Sequence, residues 1–415
     1  MEKAVLVGVQ KKNSQDNLQS SLEELQALVK TAGGITKKIF TQKLQKIHPG
    51  TFIGKGKMEE IKEYLQKEDI DIIVLDANLS PSQQTQLEVF FEKPILDRTA
   101  IILHIFAKHA RTKEGALQVE FAQLEYRLPR LVGSKKYLSR LGGGIGTQGP
   151  GETQLEIDRR RIRQKMDSIK AELENVKRHR EIYRSKRKGV PLPVVSLVGY
   201  TNAGKSTLLN CLCGKTVVKA QDKLFETLDP TTRKIKLKNN QAVLITDTVG
   251  FIEKLPHQLV EAFRATFEEV SESDLLIHVI DGSHPQFFKQ AETVLKVLEE
   301  LSLSHKPILH VYNKLDLYED DKVRFLKHPK LFPSLILSAE KNINIEQLLE
   351  KLEEFLSSFV EEIEVELPLD EQAQKLRALI SENGKILLEK VEHNTLKIKA
   401  SVNKKIAHYL RNKVQ

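Results

Sequence analysis

The sequence predicts an α/β protein in four parts. These are a small α/β domain over residues 1–106, a long antiparallel helical hairpin over 107–189, a larger α/β domain over 190–360, and a small α+β C-terminal module over 361–415. Three observations carry this reading. Short apolar runs alternate with helical periodicity in the first hundred residues and again after residue 193, the pattern of parallel strands crossed by helices. Two amphipathic stretches lie between these regions, joined by a loop with six glycines in the ten positions 142–151. A strand, a glycine-bearing loop and a helix open the larger domain at Val194.

In order, residues 4–9 read as a strand and 21–32 as a helix with Ser20 or Ser21 as its cap. A second helix is expected over 57–66 and a buried strand over 70–75. Ser80-Pro81 opens a third helix running to Phe91, a cap followed by proline at the first helical position. In the hairpin, Leu117, Phe121, Leu124 and Leu128 form one apolar stripe that ends near Pro129. Leu155, Ile162, Met166, Ile169, Leu173 and Val176 form a heptad seam continuing to Tyr183. The run KRKGVPLP at 186–193 marks a boundary. The last segment reads as strand 363–367, helix 371–381, strands 385–391 and 395–400, and helix 403–411, with no chemical motif.

Composition narrows the class. Of 415 residues, 40% are hydrophobic and 29% charged, an ordinary globular balance that excludes a mainly disordered chain. No apolar run approaches the ~18 residues that span a bilayer, and MEKAVLVGVQKKN is too short an apolar start for a signal peptide. Two cysteines exclude a disulfide framework and a multi-cysteine zinc site; Cys211 and Cys213 read as packing residues. The expectation is a monomeric, cytoplasmic protein without a transmembrane segment, with partial membrane association as the alternative placement. The formal charge of +9 is unevenly spread. Residues 126–188 hold 18 basic and 7 acidic side chains, while the remainder holds 47 and 49. One 63-residue segment therefore carries the whole surplus, the electrostatic footprint of a nucleic-acid partner. Arg140, Arg159, Arg160 and Arg161 are its candidate RNA contacts; for the run 159–161 the plain alternative is a solvated helix face. The glycine-rich tip reads either as a flexible linker or as a device for reaching into a folded RNA.

The chemistry lies in four motifs. Gly199-Tyr200-Thr201-Asn202-Ala203-Gly204-Lys205-Ser206 satisfies G-x-x-x-x-G-K-[ST] between an apolar strand and an apolar helix, the context of a phosphate-binding loop. Backbone N–H groups and a helix N-terminus would cradle the phosphates; Lys205 would reach the β- and γ-phosphates and Ser206 would bind Mg²⁺. Asp247-Thr248-Val249-Gly250 ends a strand: Asp247 would hold Mg²⁺ through water, and the Gly250 N–H would face the γ-phosphate. Asn313-Lys314-Leu315-Asp316 supplies a carboxylate that can accept two hydrogen bonds from guanine, which adenine cannot offer. Ser338-Ala339-Glu340 places a backbone N–H for guanine O6. A buried polar site left without its partner group rejects the wrong base strongly, so the set specifies GTP over ATP in a P-loop GTPase domain. Between the first two motifs, Phe225-Glu226-Thr227-Leu228-Asp229 must supply a mobile threonine to the Mg²⁺ shell. Thr227 is favoured, with Thr231 and Thr232 as alternatives. Lys205, Thr227 and Gly250 form the expected catalytic set.

With these motifs on that N-terminal half, the chain resembles the HflX family of the Obg–HflX group of P-loop GTPases. The specific marks are GGGIGTQGPGETQLEIDRRRI (142–162), ARTKEGALQVEFAQLEYRLPRL (110–131) and IGKGKMEEI (53–61), with FETLDPTTR (225–233) resembling the family's switch segment and supporting Thr227. The resemblance implies binding to the large ribosomal subunit through the N-terminal half, with the glycine loop directed at ribosomal RNA, and a stress-linked role in splitting or rescuing ribosomes. Two departures from the Ras-like pattern matter. Phe251 stands where many GTPases place a water-orienting glutamine, so unaided hydrolysis is expected to be slow. Asn202 lies where some GTPases use an asparagine oxygen on K⁺; the plain alternative is that it only shapes the loop. Competing functional readings are an RNA-binding wedge whose GTP hydrolysis only recycles it, and a GTPase controlling a protein or membrane partner.

Overall fold

The computed structural model describes residues 1–12, 17–132, 154–186, 192–214, 224–225, 227, 229–239, 241–254, 269–317, 331, 333–357, 360–368, 371–392 and 395–414. The chain divides into two units: Met1–Arg180, joined by two short segments that hold Phe225 and Lys254, and the remainder.

The first unit is built on four parallel strands, β1 (Lys3–Lys11), β2 (Ile35–Leu44), β3 (Ile72–Leu75) and β4 (Ile95–Asp97), in the order β2-β1-β3-β4. Four helices accompany them: α1 (Leu18–Ala32), α2 (Lys55–Lys67), α3 (Pro81–Phe91) and α4 (Arg98–His109). The capping box at Ser80 and Gln83 is present, with Pro81 at the start of α3. The expected cap of α1 needs correction. The cap is Asn17, whose side chain accepts from the N–H groups of Gln19 and Ser20, because the helix begins three residues earlier than its apolar periodicity. Strand β2 carries one buried residue, Phe40, so its sequence gives little of the apolar signal that marks a strand.

At the carboxyl ends of β3 and β4 lies a buried charge network. Arg98 donates to Asp76 at 2.9 Å and to Glu24. Asp76 also accepts from Ser21 Oγ at 2.6 Å and Lys254 Nζ at 2.9 Å. Asp97 accepts from Tyr126 Oη at 2.9 Å and Arg130 at 3.3 Å. Each buried charge is thereby paired, as burial requires. Burial pushes the Asp76 carboxyl up, but the ammonium of Lys254, the guanidinium of Arg98 and the Ser21 hydroxyl together hold it below its usual range.

Helices α5 (Lys113–Arg127) and α6 (Gln154–Lys186) form the expected hairpin. Lys113 pairs with Glu172 at 3.1 Å and Glu120, seven residues on, pairs with Lys165, seven residues back, so the helices run antiparallel; the Lys170 ammonium lies 5.3 Å over the Phe121 ring. The stripe of Leu117, Phe121, Leu124 and Leu128 is only half-buried; the buried positions of α5 are Gly115, Gln118, Val119, Ala122 and Tyr126. On α6 the heptad seam is the less exposed face, with Ile169 fully buried. Arg160 and Arg161 are exposed and Arg159 half-buried. Arg140, the glycine-rich tip 142–151 and the Tyr183 side chain lie outside the described residues.

The second unit holds a six-stranded sheet, β10-β9-β8-β5-β7-β6, parallel except for β6. The strands are β5 (Val194–Gly199), β6 (Thr231–Lys236), β7 (Ala242–Asp247), β8 (Leu275–Asp281), β9 (Ile308–Asn313) and β10 (Ser334–Ile336). Helices α7 (Lys205–Cys213) and α9 (Ile345–Ser357) cover one face, where Leu208, Leu209, Leu348 and Leu352 meet Val195, Leu197, Ile277 and Val311. Helix α8 (Phe287–Glu300) covers the other, where Phe287 and Ala291 meet Ile280 and Tyr312. Continuous burial along β5 and β8 fits strands covered on both faces. The strand order reverses direction at β5, and ligands of open α/β sheets bind outside the strand ends at such a point.

The C-terminal elements are β11 (Val360–Pro368), α10 (Glu371–Asn383), β12 (Gly384–Glu392), β13 (Thr395–Asn403) and α11 (Lys404–Val414). They form an antiparallel sheet β11-β13-β12 whose inner face, with Ile363, Val365, Ile398 and Ala400, packs on Ile380, Ile406 and Leu410. The alternate positions point outward, where Lys399 pairs with Glu362 at 3.0 Å and Lys397 with Glu366 at 3.1 Å.

Candidate functional site

Strand β5 ends at Gly199, and the chain turns through Tyr200–Gly204 into α7 at Lys205. Asn202 and Gly204 take positive φ, +60° and +92°; asparagine and glycine are the residues that do so at least cost. A Cβ on Gly204 would lie 2.2 Å from Asn313 Nδ2, so the close approach of β9 also demands glycine. Asn313 braces the site. Its Nδ2 donates to the Ala203 carbonyl at 3.0 Å, and its Oδ1 accepts the Ala339 N–H at 2.9 Å. One side chain thus ties the phosphate loop to the Ser338-Ala339 turn.

Three oxygens expected to serve a cation meet at one place. Ser206 Oγ donates to Asp247 Oδ2 at 2.6 Å, Thr227 Oγ1 donates to the same oxygen at 3.0 Å, and the two hydroxyls are 2.9 Å apart. The other carboxylate oxygen, Asp247 Oδ1, is buried without a hydrogen-bond partner. A buried carboxylate oxygen in that condition, beside two hydroxyls, suits a hard cation that takes oxygen ligands, as Mg²⁺ does. Thr232 instead bonds Thr246 across β6 and β7 at 2.9 Å, and Thr231 lies on β6. Asp229 is half-buried nearby in sequence. Glu226 and Leu228 lie outside the described residues. Phe225 is an exception to the expected site: its buried ring packs edge-on against Phe106 in the first unit, 4.6 Å between centroids, and that side chain is not available to a nucleotide.

Lys205 is buried, and its Nζ donates to the carbonyls of Gly199 and Tyr200 at 3.1 and 2.8 Å. Burial pulls its ammonium down to about 8, opposed by the Asp247 carboxylate. Burial in turn raises the Asp247 carboxyl, opposed by Lys205, Ser206 and Thr227. The Asp-Thr-Val-Gly segment runs along the phosphate loop. Phe251 N–H donates to the Gly199 carbonyl at 3.1 Å, Thr201 N–H donates to the Phe251 carbonyl at 2.7 Å, and Thr248 Oγ1 donates to the Leu197 carbonyl at 2.6 Å. Val249 is buried beside them. Tyr200 anchors the same stretch, its hydroxyl oxygen accepting the Glu253 N–H at 2.6 Å.

The base-reading residues also meet. Ser338 Oγ donates to Asp316, which is itself exposed, and accepts the Lys341 N–H at 3.1 Å. Leu315 N–H donates to the Leu337 carbonyl at 3.1 Å. Ala339 is buried and Glu340 exposed. Sequence reasoning missed Asp281, at the end of β8. It pairs with Lys314 Nζ at 2.7 Å and accepts from both the N–H and the Oγ of Ser283. An aspartate closing a strand beside another motif-bearing strand was the available signal.

Behind the loop, His278 and His310 occupy the α8-covered face, their Nδ1 atoms 3.1 Å apart. Burial lowers both; His310 falls to about 4, and neighbouring His310 and Lys205 push His278 down further. Among the described residues no group of three or more His, Cys, Asp or Glu could hold a metal ion, and no helix is long and apolar enough to cross a membrane.

A phosphate loop at the sheet's reversal point, a hydroxyl–carboxylate cluster for a cation and a brace between loop and base pocket define a P-loop GTP-binding domain. Comparison with known proteins agrees in sequence: residues 194–314 match a family described as 50S ribosome-binding GTPase, 19–107 the GTP-binding GTPase N-terminal region, and 109–187 the GTP-binding GTPase middle region. A GTPase HflX of Caldanaerobacter subterraneus subsp. tengcongensis is 44% identical over 99% of this chain and 93% of its own, and one from Escherichia coli 43% over 89% and 86%. A GTP-binding protein of Sulfolobus solfataricus solved with GDP is 27% identical, with TM-score 0.45 over 86% of this chain and 98% of its own. The chain belongs to the HflX family, and it is a GTPase.

Proposed function

We propose that the protein is a Mg²⁺-dependent GTP-hydrolysing switch that binds the large ribosomal subunit and splits or rescues stalled ribosomes under stress. The observation that carries the ribosomal part is the location of the charge: the whole positive surplus lies in residues 126–188, where Arg160 and Arg161 are exposed on α6. The family that residues 194–314 match, described as 50S ribosome-binding GTPase, supports the same partner.

In this reading the loop N–H groups and Lys205 hold the phosphates, and Gly250 N–H meets the terminal one. Asp316, held by Ser338, selects guanine. Ser206, Thr227 and Asp247 would hold Mg²⁺, which neutralises phosphate charge when bound. GTP orders the segment around Thr227, and hydrolysis releases it. GTP turnover with and without purified large subunits tests the proposal: stimulation by orders of magnitude is expected, and no stimulation would overturn the ribosomal role. Replacing four of the basic residues should also flatten log K against log[salt], by roughly 0.7–0.9 for each phosphate left without its cation. Asn202, in left-handed backbone, is further assigned to K⁺; equal turnover in KCl and NaCl would sink that assignment.

A further inference from the structure

Phe251 leaves the reaction without a polar side chain at the position after Gly250. Its ring is buried, 1% exposed, and its N–H and carbonyl tie its backbone to the phosphate loop. A phenyl ring so fixed offers the attacking water nothing to bond.

The third residue of the loop is differently placed. Thr201 is 6% exposed, and its Oγ1 is buried without a hydrogen-bond partner. An orphaned buried hydroxyl is costly, and native structures keep few of them without a reason. The surroundings indicate the missing partner. A Cβ on Gly250 would lie 2.8 Å from Thr201 Cα, 2.9 Å from its Cγ2 and 3.0 Å from Lys205 Nζ. The Thr201 backbone and methyl, the Gly250 backbone and the Lys205 ammonium therefore crowd one small space, and the orphaned hydroxyl sits on the same Cβ as that methyl.

We propose that the Thr201 hydroxyl touches the γ-phosphate and its attacking water during hydrolysis, in the role Phe251 cannot fill. A hydroxyl can accept a hydrogen bond from the water and donate its own to a phosphoryl oxygen at the same time. The water oxygen bonds to the γ-phosphorus as the bond to the bridging oxygen breaks, and that electron pair leaves with GDP. The proton lost by the water passes to the released phosphate, and Thr201 ends the cycle unchanged.

The inference rests on GTP hydrolysis at this site. The wild-type rate measures that reading, and the ratio of two variants measures this one. Thr201→Val removes the hydroxyl and keeps the shape; Thr201→Ser keeps the hydroxyl and removes the methyl. Single-turnover hydrolysis by the valine variant should slow by about a hundredfold, the scale of removing one fixed polar group from the transition state. GDP affinity should stay within about threefold, since GDP lacks the γ-phosphate. The serine variant should recover most of the rate. A valine variant at the wild-type rate would overturn the proposal, as would serine and valine variants equally slow. Should the valine variant fail to bind GDP, Thr201→Ala against Thr201→Ser decides by the same ratio.

Discussion

Asp281→Asn should weaken guanine-nucleotide binding by about 5- to 30-fold. Asp281 and Lys314 are joined at 2.7 Å, with side chains 14% and 23% exposed. Breaking an exposed pair costs about 0.2–1 kcal/mol and a fully buried one about 3–5 kcal/mol. A pair this far buried, but still touched by water, falls between them at about 1–2 kcal/mol. At ~1.4 kcal/mol per decade of affinity, that is the stated range. Asparagine keeps an oxygen for Ser283 N–H and Oγ and removes only the charge facing Lys314. The loss reaches the ligand because a released lysine must be re-ordered beside the base, and immobilising such a side chain costs affinity. Titration of a fluorescent GDP analogue into the full chain measures it, and most of the change should lie in the dissociation rate. The decisive control is Lys314→Met, in which Asp281→Asn should have almost no further effect. An unchanged affinity in the single variant, or an undiminished loss in the double variant, would refute the reasoning.

Other outcomes follow from the same geometry. Arg98→Met should destabilise the first unit by about 3–5 kcal/mol, because Asp76 and Glu24 lose their buried partner; urea unfolding checks it, and Asp76→Asn in the same chain should restore part of the loss. Lys205 is held near 8 by burial and phosphate favours its charged form, so GDP affinity should be flat up to pH 7 and fall as pH rises through 8; affinities at pH 7, 8 and 9 test the sign. His278 and His310 are depressed below 6.5, so the unfolded chain binds protons that the folded chain refuses. Their contribution to stability is full above pH 6.5 and is lost as pH falls toward 4. Replacing His310 with leucine should make the melting temperature less sensitive to acid over that interval.

Much of this was legible in residue order. The nucleotide motifs stood at strand ends where β5, β7, β9 and β10 place them, because glycine, lysine and aspartate at fixed spacing have few other uses. Ser80-Pro81 announced α3 through a local hydrogen-bond pattern. The C-terminal elements were readable because Ile363, Val365 and Leu367 alternate with glutamates. What escaped has physical reasons. Strand β2 buries only Phe40, and β4 is three residues long. On α5, small and polar residues such as Gly115 and Gln118 took the buried face, while the larger apolar stripe is half-buried and Phe121 lies under Lys170. Phe225 belongs to the switch segment by sequence and to the Phe106 core by packing. The partner of Lys314 and the orphan hydroxyl of Thr201 are properties of distance, which spacing along a chain does not encode.

The bridge between Tyr200 and Phe251 fastens the segment after β7 to the phosphate loop. Both main-chain groups of Phe251 are committed to the phosphate loop, so residues 247–251 are fastened at their far end, while at the near end Asp247 lies in register with Leu197 of β5. The segment can leave the loop only when both hydrogen bonds, Phe251 N–H to Gly199 and Thr201 N–H to Phe251, are broken. Amide-exchange protection at Thr201 and Phe251 would thus record each parting as a discrete event. Two backbone hydrogens are therefore the most direct reporters of whether the segment is docked on the phosphate loop.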